Sequence, residues 1–316
     1  MLHLHPIRTL TCRARLVILL TTALAATTAA PAAAGPETAA ELPILLRLPI
    51  AGPYGPRVAL ASPAGSLLHG PDLVDARVYT RHQDRILPLP AKAENGLWGY
   101  LDANGAWLGK PRFLDARSFT EDGLARVQDK GGWGFVDATA TAVVPPRHEA
   151  VDAMSHGLAA FRKEGKWGYL NTHGEVAIAP RFSAANRFDA QGLAVVKLKD
   201  KAGVIDGQGK TVVPFDYELI GSFAANGLAR ASRHEKWGYV DRQGRLAIPL
   251  RYSLAGDFGP APVAAVESDD QWGVIDAQGA WVVKPRYHRI ADFSASGLAA
   301  VWDKNYNIGY LDVRGK

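Results

Sequence analysis

A glycine that returns about every 35 residues constrains this chain more than any other feature. Gly99, Gly134, Gly168, Gly203, Gly238, Gly273 and Gly309 follow one another at gaps of 35, 34, 35, 35, 35 and 36 residues. Around each stands much the same phrase. Trp precedes the glycine in most copies, then come an aliphatic stretch, Asp-x-x-Gly, an apolar pair, Pro, an aromatic and Gly-Leu-Ala. A period this regular marks a repeat architecture, in which each unit buries its apolar face against its neighbours.

The copy from Trp167 to Leu198 shows what one unit is physically. Trp167-Gly-Tyr-Leu reads as a strand. Asn171-Thr-His-Gly174 suits a type I turn closed by a left-handed glycine, and Asp102/Gly105, Asp206/Gly209, Asp241/Gly244, Asp276/Gly279 and Asp312/Gly315 fill the same slots. Asp137 is instead followed by Ala140, which should strain that turn or change its type. Val176 to Ile178 reads as a second strand that stops at Pro180, since proline cannot donate to a ladder. Gly192 to Val196 is the third. One aromatic ladder runs through Phe113, Phe182, Tyr217, Tyr252 and Tyr287, and a second through Tyr79, Phe119, Phe188, Phe223, Phe258 and Phe293. Alternation with period two fits throughout better than period 3.6.

The expected fold class is therefore all-β: a tandem array of seven three-stranded β-meander repeats of about 35 residues each. The array should span residues 57–316, with a degenerate first copy and a closing half-unit at Ile308 to Lys316. A propeller-like ring is the first choice and an open β-solenoid the alternative, because neighbour-only contacts suit both. Trp98, Trp133, Trp167, Trp237 and Trp272 should pack as core between neighbours. Ala202 and Ile308 stand in the Trp slot of two copies, which packing tolerates better than chemistry would.

Lys166-Trp-Gly-Tyr-Leu-Asn, Lys236-Trp-Gly-Tyr-Val-Asp, Val212-Val-Pro and the recurring Gly-Leu-Ala resemble the bacterial WG-repeat, or KWG-repeat, family. The resemblance covers residues 57–316 and departs at Ala202, at Pro262-Val263 in the Gly-Leu slot, and in the first copy. It implies a β-repeat array in an often exported bacterial protein. It implies no activity, since the family has no catalytic motif to carry over.

Residues 1–34 read as an export signal: Arg8, Arg13 and Arg15 precede an apolar core at Leu16 to Leu24, followed by small residues. Cleavage is expected between Ala30 and Gly35, and residues 35–56 read as an Ala/Pro/Gly-rich linker with room for one short strand at Ile44 to Leu48. The expected location is periplasmic or secreted, with no membrane span after cleavage. Cys12, the one cysteine, would leave with the signal and take any disulfide or thiol chemistry with it. Three arginines would leave too, reducing the net charge from +5 to near +2. That is too little basic excess for a nucleic-acid partner.

No motif carries an enzyme. Gly207-Gln-Gly-Lys-Thr211 looks like the end of a phosphate loop, but Val204 stands where the first glycine is required. Gly-x-Ser-x-Gly, His-Glu-x-x-His and dinucleotide loops do not occur. One carboxylate per Asp-x-x-Gly turn is too few for Ca²⁺, so neither metal nor cofactor is expected. His148 occupies an aromatic-ladder slot and reads as a packing residue. One surface feature remains. Arg112, Arg147, Arg181, Arg251 and Arg286 share the slot before the ladder aromatic, interrupted by Asp72 and Asp216. Either these guanidinium groups line one stripe that binds anions, or each pairs with an Asp such as Asp115 or Asp152. The expected function is non-enzymatic binding or scaffolding in the cell envelope, with an anionic glycan or a protein as partner. The alternative is an enzyme with its site on inter-repeat loops.

Overall fold

The computed structural model describes residues 42–48, 57–82 and 85–316. The signal segment and most of the linker lie outside these residues. The described chain is all-β, a tandem array of small antiparallel sheets. Eight sheets follow in chain order, five with four strands and three with three, and a two-stranded hairpin lies apart from them. Ile44–Leu48 pairs with Arg57–Ala61 in the first sheet, so the array reaches beyond the boundary expected at residue 57.

The sheet that carries Trp167 shows the plan. Its strands are Ala150–Val151, Leu158–Lys163, Lys166–Asn171 and Val176–Phe182, paired in that order. Two features differ from the sequence reading. A two-residue strand opens the sheet, supplied by the segment just after the ladder aromatic of the preceding phrase, which makes four strands instead of three. The strand expected to stop at Pro180 instead runs through it to Phe182. Register explains how: Trp167 faces Phe182 and Tyr169 faces Ile178, so the segment from Ala179 to Arg181 bulges over Gly168. A proline in a bulge has no ladder bond to lose. The bulge lies so close that a Cβ on Gly168 would stand 2.5 Å from the Ile178 carbonyl oxygen and 2.7 Å from the Pro180 nitrogen. Trp-Gly and the distant Pro are thus two halves of one contact.

The Asx turns form as the spacing predicts. Asn171 Oδ1 accepts from the amides of His173 at 3.0 Å and Glu175 at 2.9 Å, and Gly174 takes φ +80°. Ala140 keeps the same turn at φ +61°, which is the strained outcome.

Cores sit between sheets, not within them. One cluster joins Tyr169, Ile178 and Phe182 of one sheet to Ala194, Val196 and Ile205 of the next. Seven such clusters join the eight sheets in succession. Among the described residues, none joins the first sheet to the last. Trp98 is buried, and Trp133, Trp167, Trp237 and Trp272 are partly buried against the clusters. Phe119, Phe188, Phe258 and Phe293 of the second ladder are buried, with Met154 in the same slot. The hydroxyls of Tyr100, Tyr169 and Tyr239 donate to the carbonyls of Arg117, Asn186 and Gly256 at 2.9, 2.6 and 2.7 Å. Each hydroxyl ties a third strand to the segment that enters the next sheet.

Gly168→Ala should therefore cost more than about 3 kcal/mol, since neither the strand backbone nor the bulge can yield cheaply. Gly192→Ala meets no atom within 4 Å but sits at φ +75°, and should cost about 1–2 kcal/mol. Gly207→Ala has neither obstacle and should be neutral within about 0.5 kcal/mol. Denaturant unfolding of the three variants would test the ranking.

Candidate functional site

The five arginines of the stripe are all exposed residues, and the structure divides them. Arg112, Arg181 and Arg251 each donate from Nη2 to the turn carbonyl of the following repeat: Ala140 at 2.9 Å, Gly209 at 2.8 Å and Gly279 at 3.0 Å. These three, with Arg286, also lie over the aromatic that follows each in sequence, at 4.8 to 5.1 Å from the ring centre. The shared slot has a local cause. The arginine stands at the end of the bulge, from which its side chain crosses the ladder ring toward the next turn.

The pairing with Asp115 or Asp152 does not form. Arg77 and Arg117 hold Asp115 at 2.6 and 2.7 Å, and Arg126 and Arg187 hold Asp152 at 3.4 and 2.7 Å. Where Asp216 interrupts the stripe, Arg233 reaches over the Tyr217 ring instead, with its Nη1 4.0 Å from Asp216. The ring is thus covered by an arginine even where the slot lacks one.

Arg147 is different. Its following residue is His148 rather than Phe or Tyr, and among the described residues no hydrogen bond or ion pair holds its guanidinium. It lines a cleft of about 500 Å³ with Arg162 and Lys163, over a floor of Phe161, Val176 and Pro180. His148 packs edge-on against Phe161, ring centres 5.1 Å apart. Glu149 completes the wall, 3.7 Å from Arg162 Nε. Arg162 and Lys163 are thus paired with Glu149 and Glu164, the latter at 3.9 Å, while Arg147 adds an unpaired cation beside an apolar lining. Such a cleft can accept an anion that also carries carbon surface.

The sequence reading placed Arg147 in the stripe and His148 in the ladder but missed Phe161, Arg162 and Lys163. Two signals point to them. His148 is the one polar residue among the ladder positions from Phe113 to Tyr287, and the single 34-residue gap falls in this repeat. The missing residue lies in Met154-Ser-His-Gly157, which is one shorter than Phe188-Asp-Ala-Gln-Gly192. There the Ser155 hydroxyl donates to the Phe188 carbonyl at 3.0 Å.

Burial, reinforced by Arg147 and Lys163, holds the His148 pKa below its ordinary value of 6.5. The unfolded chain then takes up this proton first as pH falls, so stability is full above about pH 6.5 and declines below it. His148→Phe should raise stability at neutral pH by about 1 kcal/mol by filling the slot as Phe182 does. It should also flatten the decline between about pH 7 and 5 in melts at several pH values. Arg181→Gln should cost about 1 kcal/mol through its lost turn contact, whereas Arg147→Gln should stay within about 0.5 kcal/mol.

Among the described residues, no group of three or more His, Cys, Asp or Glu is placed to hold a metal, and no helix is long and apolar enough to cross a membrane. No curated protein matches the chain by sequence. Many solved structures share a likeness, among them the following three. The crystal structure of the eukaryotic initiation factor aligns at 10% identity over 82% of this chain and 79% of its own, with TM-score 0.45. Kluyveromyces lactis Hsv2p aligns at 14% identity over 64% and 75%, with TM-score 0.36. The computationally designed Ika8 protein aligns at 10% identity over 81% and 90%, with TM-score 0.34. At these scores the likenesses carry no argument. The family described as WG containing repeat matches residues 98–132, 133–167, 167–201, 203–237, 237–271 and 272–301. These six matches take in well over half of the sequence, and the chain belongs to that family.

Proposed function

We propose that this WG-repeat chain is an exported, non-enzymatic binding module of the cell envelope that holds an anionic polymer, an envelope glycan in the first instance. The observation that supports this most is the cleft at Arg147, where three cations converge and one has no partner among the described residues. The rest of the stripe extends the same charge. Arg112, Arg181 and Arg251 bond to neutral carbonyls, so each keeps its full charge and has further N–H donors for a ligand. A polymer that seats an anionic group in the cleft can then follow the stripe from sheet to sheet.

An enzyme on an inter-repeat loop is the weaker reading. A site needs a loop that breaks the repeat; besides the Arg81–Ile86 hairpin, the break within the cleft's own repeat is Met154 to Gly157. Its one hydroxyl is already committed to a backbone carbonyl.

Sedimentation with anionic cell-wall fragments would test the proposal. Binding should fall about tenfold or more as salt is raised from 50 to 500 mM, since exposed charge contacts are screened. The triple variant Arg147→Gln/Arg162→Gln/Lys163→Gln should abolish binding with an unchanged melting temperature. Replacing all five stripe arginines by Gln should abolish it at some cost in stability. Binding indifferent to salt and to both sets would overturn the assignment. Export has its own test: the secreted protein should begin between Pro31 and Pro36, and intact Met1 in a soluble cytoplasmic pool would contradict it.

A further inference from the structure

The seven junctions share one construction, and each has two halves. The trailing half is the residue after the repeat glycine. Tyr100, Phe135, Tyr169, Val204, Tyr239 and Val274 are all 0% exposed, as is Leu60 in the equivalent register of the first sheet. The leading half is a pair on the second strand of the next sheet: Ala159 and Phe161, Ala194 and Val196, Ala229 and Ala231, all 1% exposed or less. Both halves meet in the same cluster each time.

One half of each kind is left over. In the last sheet, Tyr310 occupies the trailing position and is 74% exposed, with Ile308 at 65% and Leu298 at 45%. In the first sheet, pairing with Arg57–Ala61 puts Ile44 and Leu46 in the leading register, and they are 46% and 38% exposed. In every intervening sheet the Tyr310, Ile44 and Leu46 positions are buried, and the Ile308 position is at least partly buried. The last sheet also ends at its third strand, Ile308–Asp312, which has no further strand paired to its outer edge among the described residues.

We propose that a second copy of this chain docks head to tail here, its Ile44 and Leu46 face covering Ile308 and Tyr310. The two exposed faces carry the third-strand and second-strand positions of a junction that the chain already forms seven times, without the fourth strand that the last sheet lacks, and this match favours self-association over an unrelated partner. Such a contact is heterologous: each copy retains one free face of each kind, so association continues to rings or filaments.

Sedimentation velocity of the chain across a wide concentration range should show growth beyond the monomer. Tyr310→Asp and Leu46→Asp each spoil one face and should each remain monomeric, with unchanged melting temperatures because both side chains are exposed. Mixed in equal amounts, they should form a one-to-one dimer and nothing larger, since one intact junction remains between them. Ile308→Asp and Ile44→Asp serve as a second pair if either first variant misfolds. A chain that stays monomeric at all concentrations would overturn the proposal. So would a Leu46→Asp variant that self-associates as the parent does, since that would mean tail-to-tail contact or a different occupant.

Discussion

The passage of the bulged fourth strand over a glycine with no side chain is the contact on which each four-stranded sheet depends. At Gly134, Gly168 and Gly238, a Cβ would collide with strand carbonyls and with the proline backbone. At Gly99, Gly203 and Gly273, an aromatic ring from Trp107, Phe215 or Trp281 crowds the same space. The bulge turns the fourth strand so that its end delivers the ladder aromatic to the core and its continuation opens the next sheet. The period in the sequence is therefore the period of a backbone contact, and the Trp before the glycine is secondary to it. Ala202 in the Trp slot fits this ordering, since its repeat keeps both the glycine and the bulge.

Arginine performs a related task at the far end of the bulge. Arg112, Arg181 and Arg251 bond to backbone carbonyls rather than carboxylates. A guanidinium held by a carboxylate loses most of its outward field, whereas one held by a carbonyl keeps it. Stacking on the ladder ring fixes the stem and leaves the charge facing water. A structural role and a ligand-binding role therefore coexist in the same side chain.

Much of this was legible in the primary structure because it is written in periods. Strand alternation, the Asx turns and both aromatic ladders repeat in register, and each appears where the spacing places it. Two features were not legible. The two-residue strands, such as Ala184–Ala185, are too short to show any alternation. Pro180 reads as a stop because a proline ends a regular ladder, and only the register shift shows that this ladder is irregular there. The division among the arginines was hidden for another reason. Equal slots carry equal residues, but what a long side chain touches depends on its surroundings. Arg147 differs from Arg181 through His148, Arg162 and Lys163, not through its own position.

The confinement of each core to one pair of neighbours also bears on how the array comes apart. Removing an end sheet uncovers a single cluster, whereas disrupting a central sheet uncovers two. Fluctuations should therefore begin at the two ends and work inward, one sheet at a time. The cleft at Arg147 spans the third and fourth of the eight sheets, with the first sheet two junctions beyond the third and the last sheet four beyond the fourth. That interior position shields the cleft from fraying and holds its three cations in place while sheets nearer the termini open and close.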